Sequence, residues 1–215
     1  MPVPDQTAAP APIEVSLVIC TMNEADSIAP VIAEAQGALG GLSHEIIIVD
    51  DSPDERTADV VRACAAQDSR IRLVRREGVR GLASACIAGW DAAQGQILGV
   101  MDGDGQHEAG LLPRMVAALR AELAAARDQV LTGLRAIPGI EAPAPDGGLY
   151  AFFRLEGRDD SLALAKALVA EAGLGLAPGA AFGDEGEGWL RWCFAARPEK
   201  NAAGLERLAG YLARG

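Results

Sequence analysis

Four short apolar runs pace the first half of this chain: Glu14–Cys20, Glu45–Asp50, Ile71–Arg75 and the stretch QILGVM at 96–101. Runs of this length bounded by turn signals read as buried strands. Between them lie segments with helical spacing. The first is predicted from Asn23 to about Ala38, with Ile28, Val31, Ile32 and Ala35 on one face. The others are expected from about Asp54 to Ala66 and from about Gly81 to Ala93. Strands alternating with helices of this length predict an α/β fold, a parallel sheet with helices on both faces. Open sheets of this type bind ligands outside the carboxyl ends of their strands. The loops found there hold Thr21, Asn23 and Glu24; Asp50, Asp51 and Asp54; Arg80; and Asp102, Asp104, Gln106 and His107.

The fourth loop, within VMDGDGQH (100–107), is the most informative. Its glycines turn the chain directly after a strand, leaving Asp102 and Asp104 two residues apart at the strand's end. Mg²⁺ and Mn²⁺ take oxygen ligands, often one or two carboxylates together with the phosphates of a nucleotide. The pair therefore predicts a metal–diphosphate site. A solvated Asp-Gly turn would give the same local sequence. The company of further acidic loops on one sheet edge favours the site, because clustered like charges cost stability unless a cation or donors compensate them. Asp54 is assigned to capping the following helix and Asp51 to the ligand. Asp50 fits either role.

Composition narrows the partners. A net charge of −11 argues against nucleic acid, which demands a basic footprint, and against electrostatic attachment to anionic lipid. Cys20, Cys64, Cys86 and Cys193 are widely spaced, without a C-x-x-C pair, and are expected to be reduced core thiols of a cytoplasmic protein. No apolar run approaches the 18 or so residues of a membrane span. Residues 1–13, rich in Pro and Ala, are expected to be a disordered tail.

VSLVICTMNEADSI, EIIIVDDSPDERTADVV, RREGVRGLASACIAGWDAAQGQILGVMDGDGQH and LLPRMVAAL, in that order, resemble the amino-terminal half of family-two glycosyltransferases with a GT-A fold. The likeness is to the dolichol- or polyprenol-phosphate mannosyltransferases, from about Val15 to Leu119. It implies that Cys20, Met22 and Glu24 cup a nucleotide, that Val49 and Asp51 line its base and ribose, and that Asp102, Gly103 and Asp104 meet the sugar nucleotide. It also implies that Gln106 joins Asp102 and Asp104 around Mg²⁺ or Mn²⁺, with Asp104 the candidate catalytic residue. The implied partners are a nucleoside-diphosphate sugar, GDP-mannose in particular, and a polyprenol phosphate. That acceptor would put a cytoplasmic protein at the periphery of the inner membrane. The family usually carries Pro and Tyr where Cys20 and Met22 stand, and His-Pro-Pro where this chain has His107-Glu108-Ala109.

Beyond Leu119 a different pattern takes over. A helix is expected over Arg120–Leu134, part of one long helix from about Glu108 to Ala136. Then follow a strand at Leu149–Leu155, a helix at about Ser161–Ala172, a strand at Trp189–Ala195 and a helix at Pro198–Ala213. RDQVLTGLRAIPGIEAPAPDGGLYAFFRL, LAKALVAEAGLGLAPGAAFG and EGWLRWCFAARPEKNAAGLERLAGYL resemble the small α+β domain of class I/II pyridoxal-phosphate aminotransferases. The resemblance makes Arg191 a relic of a substrate-carboxylate fork. Pyridoxal phosphate itself is not expected, since that cofactor requires a Schiff-base lysine. The two lysines, Lys166 and Lys200, lie in or at the start of helices.

The expected organisation is a tail (1–13), a glycosyltransferase-like half (14–119), a helical junction (120–126) and an aminotransferase-like domain (127–215). The leading expectation is a metal-dependent nucleotide-sugar binder with nominal hexosyl transfer, short of its acceptor half. The alternatives are a non-catalytic binding protein, and an aminotransferase-related chain lacking its cofactor domain. Two cores and an exposed apolar face prone to self-association are expected.

Overall fold

The computed structural model describes residues 12–78 and 80–214, so the expected tail lies almost wholly outside the described residues. A first compact unit ends at Ala117 and a second begins at Ala118.

In the first unit, β1 (Val15–Thr21) and β2 (His44–Asp50) are buried along their whole length, as central strands covered on both faces must be. β3 (Ile71–Arg75) and β4 (Ile97–Asp102) complete an all-parallel sheet in the order β3-β2-β1-β4. Successive side chains point to opposite faces of a strand. Leu17, Ile19, Ile46 and Ile48 pack with Ile28, Val31 and Ile32 of α1 (Ile28–Leu39) and Val61 of α2 (Arg56–Ala65). Val18, Cys20, Ile47 and Val49 pack on the other face with Ala85 and Cys86 of α3 (Leu82–Ala92). The chain thus winds outward to β3, and α3 carries it back to β4. This reversal of strand order falls between β1 and β4, where open sheets form a crevice.

Gly89 sets how closely α3 lies on the sheet. A Cβ there would sit 2.4 Å from Val18 Cγ1 and 3.0 Å from Val49 Cγ2. β4 is an edge strand, and its Leu98 and Val100 remain 47% and 45% exposed.

The expected helix start at Asn23 is corrected to Ile28. Asn23 adopts a left-handed φ of 66° and donates its N–H to Ser52 Oγ at 2.8 Å. The polar residues that resemble a helix cap therefore shape a loop. Asp54 does not occupy the cap position of α2, which falls to Glu55. Its carboxylate nevertheless accepts from Arg56 N–H at 3.1 Å.

α4 (Leu112–Arg135) follows a single 3₁₀ turn at Ala109–Leu111 and spans the expected junction at 120–126. The second unit has its own antiparallel sheet, ordered β5 (Ile140–Glu141), β6 (Tyr150–Leu155), β8 (Trp189–Cys193) and β7 (Ala177–Pro178). The two-residue strands β5 and β7 were not expected, and β8 stops short of the predicted Ala195. α5 (Ser161–Ala172) is capped by Asp160, which accepts from Ala163 N–H at 2.8 Å, and ends on left-handed Gly173. With α6 (Pro198–Leu212), these elements bury Val130, Leu134, Phe153, Leu168, Trp192 and Leu208 in a core separate from that of the first sheet. Among the described residues, no helix is long and apolar enough to cross a membrane.

Candidate functional site

The carboxyl ends of β1, β2 and β4 and the first turns of α3 enclose a cavity of about 480 Å³. Cys20, Thr21, Met22 and Glu24 line it from the first loop, and Asp51 from the second. Asp102 and Asp104 line it from the fourth, and Arg80, Gly81, Leu82 and Ala85 form the remaining wall.

Asp50 and Asp51 are adjacent but do different work. Asp50 is fully buried. It accepts from Thr21 Oγ1 at 3.1 Å, from Ser52 N–H at 3.1 Å and from Arg75 Nη1 at 3.0 Å, and it holds the Ser52 hydroxyl. That carboxylate is saturated and structural. Asp51 reaches the cavity while held by a guanidinium fork, with Arg76 Nε at 2.8 Å and Nη2 at 3.0 Å, and by Gly81 N–H at 3.2 Å. A planar, two-toothed clamp of this kind fixes a carboxylate's orientation.

Glu24, Asp102 and Asp104 have few donors. Glu24 accepts one long bond from Met22 N–H, at 3.3 Å. Burial pushes its pKa up, and the negative charges of Asp104, Asp102 and Asp50 add to that, outweighing the Met22 bond. Asp104 accepts from Gln106 N–H at 3.0 Å. Asp102 lies 3.4 Å from His107 Nε2, with both side chains about half exposed. Desolvation, with Cys86 alongside, raises the Cys20 thiol to about 12.

Gly103 keeps the first and fourth loops together. A Cβ there would meet Glu24 Oε2 at 2.6 Å and Thr21 Cγ2 at 2.7 Å, while Ser27 Oγ donates to its carbonyl at 2.9 Å. Its lack of a side chain serves this contact between loops.

Cys20, Met22, Glu24, Asp51, Asp102 and Asp104 are thus brought together as the sequence suggests. Val49 is not: its side chain is fully buried between the sheet and α3 and does not line the cavity. Gln106 does not line the cavity either; its backbone N–H serves Asp104. In the second unit, the Arg191 guanidinium lies 4.1 Å from the Tyr150 ring and 3.9 Å from the Phe182 ring. Arg80 lines the cavity as its place in the third loop suggests, whereas Gly81, Leu82 and Ala85 were not foreseen in the site. The Arg76 clamp was also missed.

Among the described residues, no three His, Cys, Asp or Glu side chains converge in the manner of a formed metal cluster. The donor set that lines the cavity, carboxylate oxygens with little compensation, nonetheless suits a hard divalent cation that completes its shell with phosphate oxygens.

Residues 16–134 match the family model of glycosyl transferase family 2. The chain belongs to glycosyltransferase family 2. Its parallel sheet is that of a GT-A fold, and the family match runs past Leu119 through α4. A dolichol-phosphate mannosyltransferase of Pyrococcus furiosus is 32% identical over 108 residues, which are 50% of this chain and 30% of that protein. The chain spans between 30% and 50% of the length of the curated relatives it matches first. A mannosyltransferase of Pyrobaculum calidifontis, solved with GDP-Man and Mn²⁺, is 24% identical with a TM-score of 0.40, covering 53% of this chain and 42% of that one. An aromatic aminotransferase of Pyrococcus horikoshii is 17% identical with a TM-score of 0.47, covering 93% of this chain and 60% of that one. Both structural likenesses are too distant to carry a functional argument.

Proposed function

We propose that the first unit binds a nucleoside-diphosphate sugar together with Mg²⁺ or Mn²⁺, and that its reaction is hexosyl transfer to a polyprenol phosphate. GDP-mannose is the favoured donor, since the family relatives include dolichol-phosphate mannosyltransferases. The observation that carries the reading is the convergence of Glu24, Asp51, Asp102 and Asp104 on one cavity at the switch point of the sheet.

In this reading, Asp102 and Asp104 would hold the cation, which would supply charge neutralisation to the diphosphate leaving group. Asp104, the more exposed end of the pair, is the proposed catalytic residue. Asp51, fixed by Arg76, takes the nucleoside. Arg80 and the first turn of α3 face the phosphates, where a helix amino terminus favours anions. A lipid phosphate acceptor is already ionised, so the site requires no strong general base. The acceptor places the protein at a membrane surface, on its cytoplasmic side.

The second unit has no cofactor chemistry in this proposal. Lys166 and Lys200 are exposed on α5 and α6, without the enclosed setting of a Schiff-base lysine. Borohydride reduction after incubation with pyridoxal phosphate should leave neither lysine stoichiometrically labelled; such labelling would revive the aminotransferase reading. Calorimetric titration with GDP-mannose and with UDP-sugars, in Mn²⁺ and in EDTA, tests the donor site. Equal affinity with and without metal would overturn the metal–diphosphate assignment.

A further inference from the structure

The wall of the cavity contains two thiols in contact. Cys20 Sγ and Cys86 Sγ lie 3.6 Å apart, joining β1 to α3 across 66 residues of sequence. All four cysteines of the chain are free. Gly89, three residues beyond Cys86 on α3, allows the helix to approach the sheet closely enough for the sulfurs to meet. Both cysteines are more than nine-tenths buried, yet Cys20 lines the cavity, so a small solute can reach the pair from that side. A disulfide requires sulfurs about 2.05 Å apart with Cβ atoms about 3.8 Å apart. Closing this gap takes about 1.5 Å of sulfur movement, by side-chain rotation with a shift of α3 toward β1.

We propose that Cys20 and Cys86 form a reversible thiol–disulfide site whose oxidation tethers α3 to β1 in the cavity wall. With hydrogen peroxide as oxidant, one sulfur attacks a peroxide oxygen as its proton is lost, a slow step because burial holds Cys20 in the thiol form at neutral pH. The O–O bond breaks, and the departing hydroxide takes up the thiol's proton to leave as water. The second sulfur then attacks the resulting sulfenic sulfur, giving up its own proton. The S–S bond forms, the S–O bond breaks, and a second water leaves. The two thiols lose two electrons and one peroxide gains them; a dithiol reductant reverses the change. Leu82 and Ala85 line the cavity on the helix that carries Cys86, so drawing α3 toward β1 narrows the space beside Cys20. The consequence for nucleotide binding, a weaker grip in the oxidised form, rests on the function proposed above.

The test uses the full chain with Cys64→Ser and Cys193→Ser, which leaves only this pair. After peroxide treatment of the folded protein, thiols are counted under denaturing conditions and the peptides mapped by mass. The expected result is loss of both thiols, a peptide cross-link between Cys20 and Cys86 within one chain, and full recovery with dithiothreitol. Mapping the same cross-link in the unaltered protein guards against any folding effect of the substitutions. Two thiols that persist, a single over-oxidised cysteine, or links only between chains would each overturn the proposal. Equilibrium dialysis with GDP-mannose and Mn²⁺ then compares the two forms. The oxidised form should bind several-fold more weakly, and equal affinity would refute the narrowing. If the reduced form does not bind, the donor-site reading and this consequence both fail, while the thiol count still decides the pair.

Discussion

Glu45 and Glu24 stand at opposite ends of one parallel sheet, and their surroundings drive them in opposite directions. Glu45 lies second in β2, at the amino-terminal edge, and is almost fully buried. One carboxylate oxygen accepts from Ser16 Oγ and from Gln94 N–H, each at 2.7 Å, and the other meets Arg72 Nη1 at 2.6 Å. Burial alone would raise its pKa, but these bonds outweigh it and hold the group below the usual glutamate range. Glu24, at the carboxyl edge, has one long N–H bond, and burial beside Asp104, Asp102 and Asp50 holds it above that range. Buried carboxylates with full partners stabilise a fold, whereas crowded ones without partners mark a place left open for a cation or ligand. Asp51 is intermediate, clamped by Arg76 yet facing the cavity.

The largest effect expected from breaking this contrast is at the saturated end. Glu45→Ala removes the acceptor for Ser16, Gln94 and Arg72 and should cost about 3 kcal/mol of stability by chemical denaturation. A cost under about 1 kcal/mol would show that solvent already serves those donors. Next comes Gly89→Ala, which forces a methyl against Val18 and should cost about 1–3 kcal/mol through overpacking; an unchanged denaturation midpoint would contradict the close approach of α3. The smallest effect has the opposite sign. Glu24→Gln should stabilise the protein at pH 7 by a few tenths of a kcal/mol, since Glu24 is partly solvated and its repulsions are screened.

The pH dependence separates the two glutamates. Glu45, with its pKa lowered on folding, contributes stability that is present above the unfolded value and lost as pH falls through the folded one. Glu24, with its pKa raised, binds its proton more tightly when folded, so its contribution declines as pH rises through the window between the unfolded and folded values. Acid titrations of stability should therefore steepen with Glu24→Gln and flatten with Glu45→Gln. The same change in both variants would refute the assignment.

Much of this could be read in the sequence because β1 and β2 are buried on both faces and so appear as unbroken apolar runs. Their spacing announces the parallel sheet, and the sheet then dictates where Asp51, Asp102 and Asp104 gather. What escaped depends on contacts distant in sequence or on very short elements. Val49 shares a face with Asp51, but it lies inside the end of β2, where Ala85 and Cys86 of α3 cover it. Asn23 and Glu24 resemble a helix cap, yet the bond from Asn23 to Ser52 turns them into a loop. Arg76 reaches Asp51 across 25 residues, and β5 and β7 are two residues each, too short to show a period.

The central claim is that the unsatisfied carboxyl edge of the first sheet is a metal–diphosphate site. The most direct measurement is calorimetric titration of GDP-mannose into the full chain in Mn²⁺, for the unaltered protein and for Asp104→Asn and His107→Ala. Loss of an anionic ligand should weaken binding by about tenfold or more in Asp104→Asn, with a smaller change in His107→Ala and loss of binding in EDTA. Affinity that is indifferent to metal and to Asp104 would contradict the account.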